Sequence, residues 1–337
     1  MNKRYKVILN FSKQQFALSI GVILIIFLSL YNLQYGVTHY ELPEIFSALW
    51  HRNENAIIFI TLFKIRLPMI LMAIMAGAGM AIAGLLLQKV TQNPLACPSL
   101  TGMEYGTALC VILVYLFLPN ANRLHVLCIA LLGGVFNFIL IQCLIKKMGV
   151  SLIGITLIGI AFDALYFSVI QAILIAFPMQ AQAMLYNLNG SIQGITVADI
   201  QLTFIFFSVL LTITLLFSRR LNLLDLDDNQ AASLGFNIFK YRFIMLALSL
   251  LFTVVMTSMI GPLLFFSLIV PHVVKPFSGN KNSIVFCAVF GAVLLLFAQL
   301  LTQLITPQTP PPVGIISLLI AAPLLIYITR QYFYANS

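Results

Sequence analysis

Two carboxylic acids, Glu104 and Asp163, lie inside long apolar segments of the sequence. An ionisable side chain at that depth of a bilayer is costly and normally faces a water-filled cavity or a partner. Neither acid has a basic residue three or four positions away, so its own helix offers no salt bridge. We therefore predict that both acids face a cavity or a partner. A protonated or helix-bonded structural role is the alternative.

No set of residues typical of an enzyme accompanies these acids. The four histidines are His39, His51, His125 and His272. They form no HxxxH pair, and no Gly-rich phosphate loop is followed by a lysine, so we do not expect the chain itself to hydrolyse ATP. The five cysteines are Cys97, Cys110, Cys128, Cys143 and Cys287. None forms a CxxC pair, and we interpret them as small core residues in a chain that binds no metal or cofactor directly.

The composition is that of a membrane protein. Of the 337 residues, 61% are hydrophobic and only 8% are charged, whereas a soluble domain carries about 25% charged residues. The basic start, MNKRYKVILNFSKQQ, precedes an apolar run that is longer than a usual signal peptide core and lacks a cleavage site, so we predict a retained first helix. These features indicate an all-α, polytopic protein with one transmembrane domain over residues 1–337.

Hydropathy divides the chain into ten candidate spanning segments. They lie near 16–34, 67–88, 103–118, 124–145, 150–176, 199–217, 241–260, 262–274, 284–304 and 313–331. With the N-terminus inside, 14 of the 18 Lys and Arg residues fall on the inner side and four on the outer side. Cytoplasmic loops carry such an excess, so both termini are predicted to be cytoplasmic. The net charge of +9 then requires no nucleic-acid partner.

The longest inner loop, 218–242, reads SRRLNLLDLDDNQAASLGFNIFKYR. Asp227 and Gln230 form a capping-box-like pattern, and Gly235 suits the end of the helix that they begin. This pattern predicts two short helices joined at the glycine, which would dock on a cytoplasmic partner. The apolar residues expected to enter a groove on that partner are Leu221, Leu223, Leu224, Leu226 and Phe236. An amphipathic connector lying on the lipid headgroups is the alternative.

A polar stretch broken by prolines, TQNPLACPSLTGMEYG at 91–106, separates two apolar runs. Its backbone cannot face lipid, because unpaired peptide groups there cost several kcal/mol each. The stretch must therefore lie outside the bilayer or line a wet cavity.

Four stretches, in order, resemble the permease subunits of bacterial ABC importers for ferric siderophores, haem and vitamin B12. They are IRLPMILMAIMAGAGMAIAGLLLQKVTQNPLACPSLTG at 65–102, LNLLDLDDNQAASLGFNI at 221–238, GPLLFFSLIVPHVVKPFSG at 261–279 and PPVGIISLLIAAPLLIYI at 311–328. The resemblance implies ten helices per subunit in the bacterial inner membrane and a dimer of permeases. It also implies cytoplasmic ATPase subunits that use the ATP, and a periplasmic or lipid-anchored substrate-binding protein.

The resemblance also implies roles for particular residues. Asn93 and Pro94 would form the break at the inner end of the second helix, near the cytoplasmic mouth of the pathway, with Glu104 and Asp163 along it. Coupling to the ATPase would use Leu221, Leu224, Asp227, Asp228, Ala231, Leu234 and Gly235.

Three departures from the family pattern concern the outer face. Arg66 keeps the first Arg of the RLPR motif and is the expected docking residue for the binding protein. Met69, Gln303 and Pro310 stand where the family usually has two Arg and a Glu. Because few docking charges remain, we predict a second, non-identical permease subunit. The expected cargo is a ferric siderophore, with haem and cobalamin left open. An ion-coupled secondary transporter with Glu104 and Asp163 as proton carriers is the alternative of another class.

Overall fold

Every regular element in the described part of the chain is a helix. The computed structural model describes residues 3–51, 57–148, 152–221, 224, 237–278 and 283–336. The helices are α1 (Lys3–Gln34), α2 (Leu42–His51), α3 (Ile57–Thr91), α4 (Met103–Phe117), α5 (Arg123–Met148), α6 (Leu152–Ala176), α7 (Pro178–Leu188), α8 (Val197–Leu221), α9 (Ile238–Ile260), α10 (Phe266–Ser278), α11 (Ser283–Ile305) and α12 (Val313–Asn336). This confirms the predicted all-α fold class.

The ten predicted segments each fall on one of these helices. Within the described residues, seven helices are long and apolar enough to cross a membrane, and the helices at Met103–Phe117, Phe266–Phe277 and Val313–Tyr327 are shorter apolar ones. Two further helices, α2 and α7, were not predicted. With 10 and 11 residues they are too short to cross a bilayer, and they lie between longer helices. The cytoplasmic position of both termini stays a prediction.

Helix α3 forms the centre of the bundle and packs against α8, α9, α10 and α11. Its small residues permit this, because they let neighbouring backbones approach closely. A Cβ atom at Gly77 would lie 2.4 Å from the carbonyl oxygen of Gly291 in α11, and one at Gly84 would lie 1.7 Å from that of Ser267 in α10. A side chain at either glycine would therefore separate the packed helices.

Two of the irregular segments between helices position the candidate site. The first follows α3, where Gln92 adopts a left-handed conformation with φ 50° and ends the helix. It continues through a 3₁₀ turn at Pro98–Leu100 to Gly102, with φ 73°, where α4 begins. The second joins α9 to α10 at Gly261, whose φ is 84°. The candidate site lies where these two segments meet.

Candidate functional site

The inner break at 92–102 is folded into the protein. The Asn93 side chain accepts a hydrogen bond from the Leu95 backbone N at 3.0 Å, and the Asn93 carbonyl accepts one from the Ala96 N at 3.1 Å. Asn93 and Pro94 are half-buried, whereas Ala96 and Cys97 are buried. Local turns and protein contacts therefore satisfy part of this backbone, as a non-helical segment at membrane depth requires.

Glu104 lies in the first turn of α4 and is fully buried. Its Oε2 accepts a hydrogen bond from the backbone N of Leu263 at 3.0 Å. Leu263 belongs to the segment between α9 and α10, so this bond joins the two irregular segments. The second carboxylate oxygen, Oε1, has no hydrogen-bond partner among the described residues.

Asp163 lies on α6, close to the start of α4. One turn before it, Gly159 packs so tightly on the inner break that a Cβ there would lie 2.4 Å from the Leu100 carbonyl oxygen. The Asp163 side chain is 8% exposed. The Cβ of its neighbour Phe162 lies 3.1 Å from where a Cβ on Gly102 would stand, two residues before Glu104. Within the described ranges, no basic side chain forms a salt bridge with either acid. The structure thus brings together the two acids that the sequence singled out, and their pathway role stays a prediction.

Sequence reasoning missed Asn137, a buried residue of α5 beside these acids. Its Nδ2 donates to the Gly102 carbonyl at 2.8 Å, and its Oδ1 accepts from the Tyr166 hydroxyl at 2.6 Å. Asn137 therefore ties the inner break to α6, the helix that carries Asp163. The available signal was a single carboxamide in the apolar stretch GGVFNFIL.

Arg66 lies in the first part of α3, far from the inner break. It is the last residue of a π-helical stretch, Ile60–Arg66, which precedes the regular α-helical part of α3. Its guanidinium donates to the backbone carbonyls of Leu33, Gln34 and Thr38, and it lies over the Tyr40 ring. The side chain is only 4% exposed. It therefore has a structural role at the end of α1, and docking of a binding protein at Arg66 stays a prediction.

The outer residues that the sequence analysis singled out do meet in space. Arg66, Met69, Gln303 and Pro310 line one cavity of about 330 Å³. Of these four residues only Arg66 is charged. These four positions therefore offer one charged side chain to a protein that docks at this cavity.

In the predicted coupling segment, the inner loop at 218–242, two leucines have described side chains. Leu221 and Leu224 are buried in the chain's own core, at 2% and 0% exposure. Their apolar side chains find enough apolar surface within the bundle. Asp227, Asp228, Ala231, Leu234 and Gly235, with the helix pair predicted around them, lie outside the described residues, and the coupling role of the segment stays a prediction.

One contact connects the coupling segment with the inner break. The Nε2 of Gln92, the residue that ends α3, donates to the Leu224 carbonyl at 3.0 Å. Within the same loop, Asn237 caps α9 by accepting a hydrogen bond from the Lys240 N at 3.1 Å. A displacement of the coupling segment would therefore act directly on the end of the central helix.

Known proteins resemble this chain over most of its length. The sequence pattern of the FecCD transport family matches residues 23–331. The Probable heme-iron transport system permease protein IsdF of Staphylococcus aureus strain Newman is 31% identical over 273 residues, which cover 80% of this chain and 82% of that protein. Proteins of the same name from other S. aureus strains, such as Mu3 and USA300, match equally well.

Two solved structures share the fold. One, described as an inward-facing conformation of a metal-chelate type ABC transporter, has a TM-score of 0.81 at 24% identity and covers 93% of this chain and 98% of its own. The other is PsaBC from Streptococcus pneumoniae in complex with Fab, with a TM-score of 0.60 at 16% identity, covering 85% and 95%. At these identities they show the fold alone. The sequence match over residues 23–331 shows that the chain belongs to the FecCD transport family.

Proposed function

We propose that the chain is the permease subunit of a bacterial ATP-driven importer that moves a ferric siderophore across the cytoplasmic membrane. The observation that carries the proposal is the family match over residues 23–331. Its partners would be two cytoplasmic ATPase subunits, which use the ATP, a second and non-identical permease, and an extracytoplasmic substrate-binding protein.

The described contacts support a route for the movement. ATP binding in the partner subunits would displace the coupling segment, and the Gln92–Leu224 hydrogen bond would transmit this displacement to the end of α3. The inner break, held by Asn137 and packed on Gly159 of α6, would move with it. Transport is then alternating access, a two-state equilibrium that both the nucleotide and the cargo bias.

Haem is the second candidate cargo, and a specific observation favours it. The relative at 31% identity carries the name of a heme-iron transport permease. Siderophores and haem both present iron inside an organic ligand, so the same fold can serve either one. The residues that contact the cargo, rather than the fold, decide between them.

The test is growth of a deletion strain on defined iron sources. The strain receives either a ferric siderophore or haemin as its only iron, with the restored wild-type gene as the control. Selective loss of growth on ferric siderophores supports the first cargo, and selective loss on haemin supports the second. If uptake continues without the ATPase subunit and stops when the proton gradient is dissipated, the chain is an ion-coupled transporter and the proposal is wrong.

A further inference from the structure

A cavity lies beneath the inner break, between the end of α3, α5 and α9. Its volume is about 340 Å³, and it is lined mainly by apolar groups that include Val90, Leu100, Phe138 and Leu246. Its polar lining residues are Thr91, Gln92, Thr101, Gln142 and Arg242. The apolar part of the cavity offers no hydrogen-bond partners and is a poor site for water. Left empty, it would deprive the lining atoms of van der Waals contacts.

A groove on the outside of the bundle adjoins this cavity. It measures about 410 Å³ and is almost wholly apolar, with Ile139 and Cys143 of α5 on one side and Phe243 and Ala247 of α9 on the other. Ile139 is 53% exposed and Phe243 is 60% exposed, so the groove opens at the surface that would face the membrane.

The groove and the cavity share two lining residues, Phe138 and Gln142. The groove and the cavity therefore adjoin each other along α5, on either side of Phe138 and Gln142. An unbranched hydrocarbon chain is apolar and flexible, and so matches the character of this lining.

Basic residues lie near the groove and the cavity, at the ends of α5 and α9. Lys147 lies in the last turn of α5, Lys240 lies in the first turn of α9, and Arg242 lines the cavity. The distribution of Lys and Arg along the chain assigns these ends to the cytoplasmic leaflet. Basic pockets between helices on that side suit anionic lipid headgroups.

We propose that the groove and the adjoining cavity bind one acyl chain of an anionic phospholipid from the cytoplasmic leaflet, with its headgroup at the basic ends of α5 and α9. The bound chain would fill the space under the inner break and support Leu100 and Cys97 from below. The lipid is then a structural ligand of this subunit. The inference does not rest on the identity of the cargo.

The experiment counts phospholipids that stay bound. The purified transporter complex is loaded with phosphatidylglycerol or phosphatidylcholine of the same chain length, and retained lipid is measured by native mass spectrometry. Two exposed cysteines on α5 give a matched pair, since Cys143 lines the groove and Cys128 does not. Alkylation of Cys143 with N-benzylmaleimide in a Cys128→Ser background blocks the groove of an already folded protein. Alkylation of Cys128 in a Cys143→Ser background is the control.

We expect one phosphatidylglycerol to stay bound per subunit, and to be lost after alkylation at Cys143 but not at Cys128. Arg242→Gln should reduce the preference for phosphatidylglycerol over phosphatidylcholine by about fivefold, from about 1 kcal/mol for one basic residue at an anionic surface. Equal retention after both alkylations overturns the proposal. So does a disulfide or cross-link from Cys143 to the second permease, because the groove would then be a protein interface. Neither result depends on ATP or on transport.

Discussion

The carboxylate of Glu104 accepts a hydrogen bond from the backbone N of Leu263 at 3.0 Å, across a sequence separation of 159 residues. The bond joins the first turn of α4 to the segment between α9 and α10. A buried backbone N–H without a partner costs about as much as a lost hydrogen bond. Glu104 thus holds two irregular segments together, whatever its role toward the cargo.

Replacing Glu104 tests this structural role. Glu104→Gln keeps an oxygen that can accept from Leu263, whereas Glu104→Leu leaves the N–H unpaired. We expect the leucine variant to have a free energy of unfolding about 1–3 kcal/mol below that of the glutamine variant. The measurement is the midpoint of thermal unfolding in detergent. Equal midpoints for the two variants would show that the hydrogen bond does not stabilise the fold.

A pathway role for the two acids predicts effects on transport. Glu104→Gln and Asp163→Asn keep the shape and remove the charge, so uptake of the iron complex should change at equal membrane levels. Glu104→Cys and Asp163→Cys, made in a background without Cys128 and Cys143, should react with a water-soluble thiol reagent in at least one nucleotide state. If neither site reacts and both neutral variants transport normally, the acids are structural.

The Gln92–Leu224 contact predicts a defect in coupling. Gln92→Met keeps the length of the side chain and removes the donor that reaches the Leu224 carbonyl. We expect ATP hydrolysis by the reconstituted complex to continue while transport per ATP falls, because the coupling segment no longer acts on α3. Gln180→Met, at an exposed position on α7, is the control and should leave that ratio unchanged.

Gly235 is predicted to end the first coupling helix with a positive φ, which a β-branched residue adopts at high cost. Gly235→Val should abolish substrate-stimulated ATP hydrolysis while the membrane domain still folds. Gly194→Val places the same strain at an observed φ of 74° in the loop before α8, with no atom in the way. That variant should couple normally. If Gly235→Val couples ATP hydrolysis to substrate normally, the segment does not have the predicted coupling role.

The outer cavity predicts a second permease of different sequence. Of Arg66, Met69, Gln303 and Pro310, which line it, Arg66 is the charged one. Arg66 already donates to three backbone carbonyls of its own chain. Two identical subunits would then offer few docking charges. A tagged chain purified from its native host and weighed as an intact complex should carry one copy of itself and one copy of another permease. An active complex with two copies of this chain contradicts the prediction.

Local sequence was enough to locate the apolar helices. Apolar runs that match the thickness of a bilayer mark spanning segments wherever they occur, so the ten predicted segments fall on observed helices. A proline-broken stretch between two such runs must be covered by protein or water, and the stretch at 91–106 is packed against α6. The short helices α2 and α7 gave no comparable signal, since neither is long enough to be recognised by hydropathy.

The tertiary structure decided which of these residues meet. A leucine is expected to bury its side chain against apolar surface. The sequence does not say whether that surface belongs to the same chain or to a partner. In the structure, Leu221 and Leu224 are buried in the core of their own chain. An arginine near the outer face could form an ion pair with a docking protein. In the structure, the Arg66 guanidinium donates hydrogen bonds to backbone carbonyls at the end of α1. Asn137 contacts the inner break, and Leu263 donates to Glu104, because helices distant in the sequence pack together. Hydropathy and helix-capping patterns report on residues that are close in the sequence. The contacts of Arg66, Asn137 and Glu104 join residues 32 to 159 positions apart.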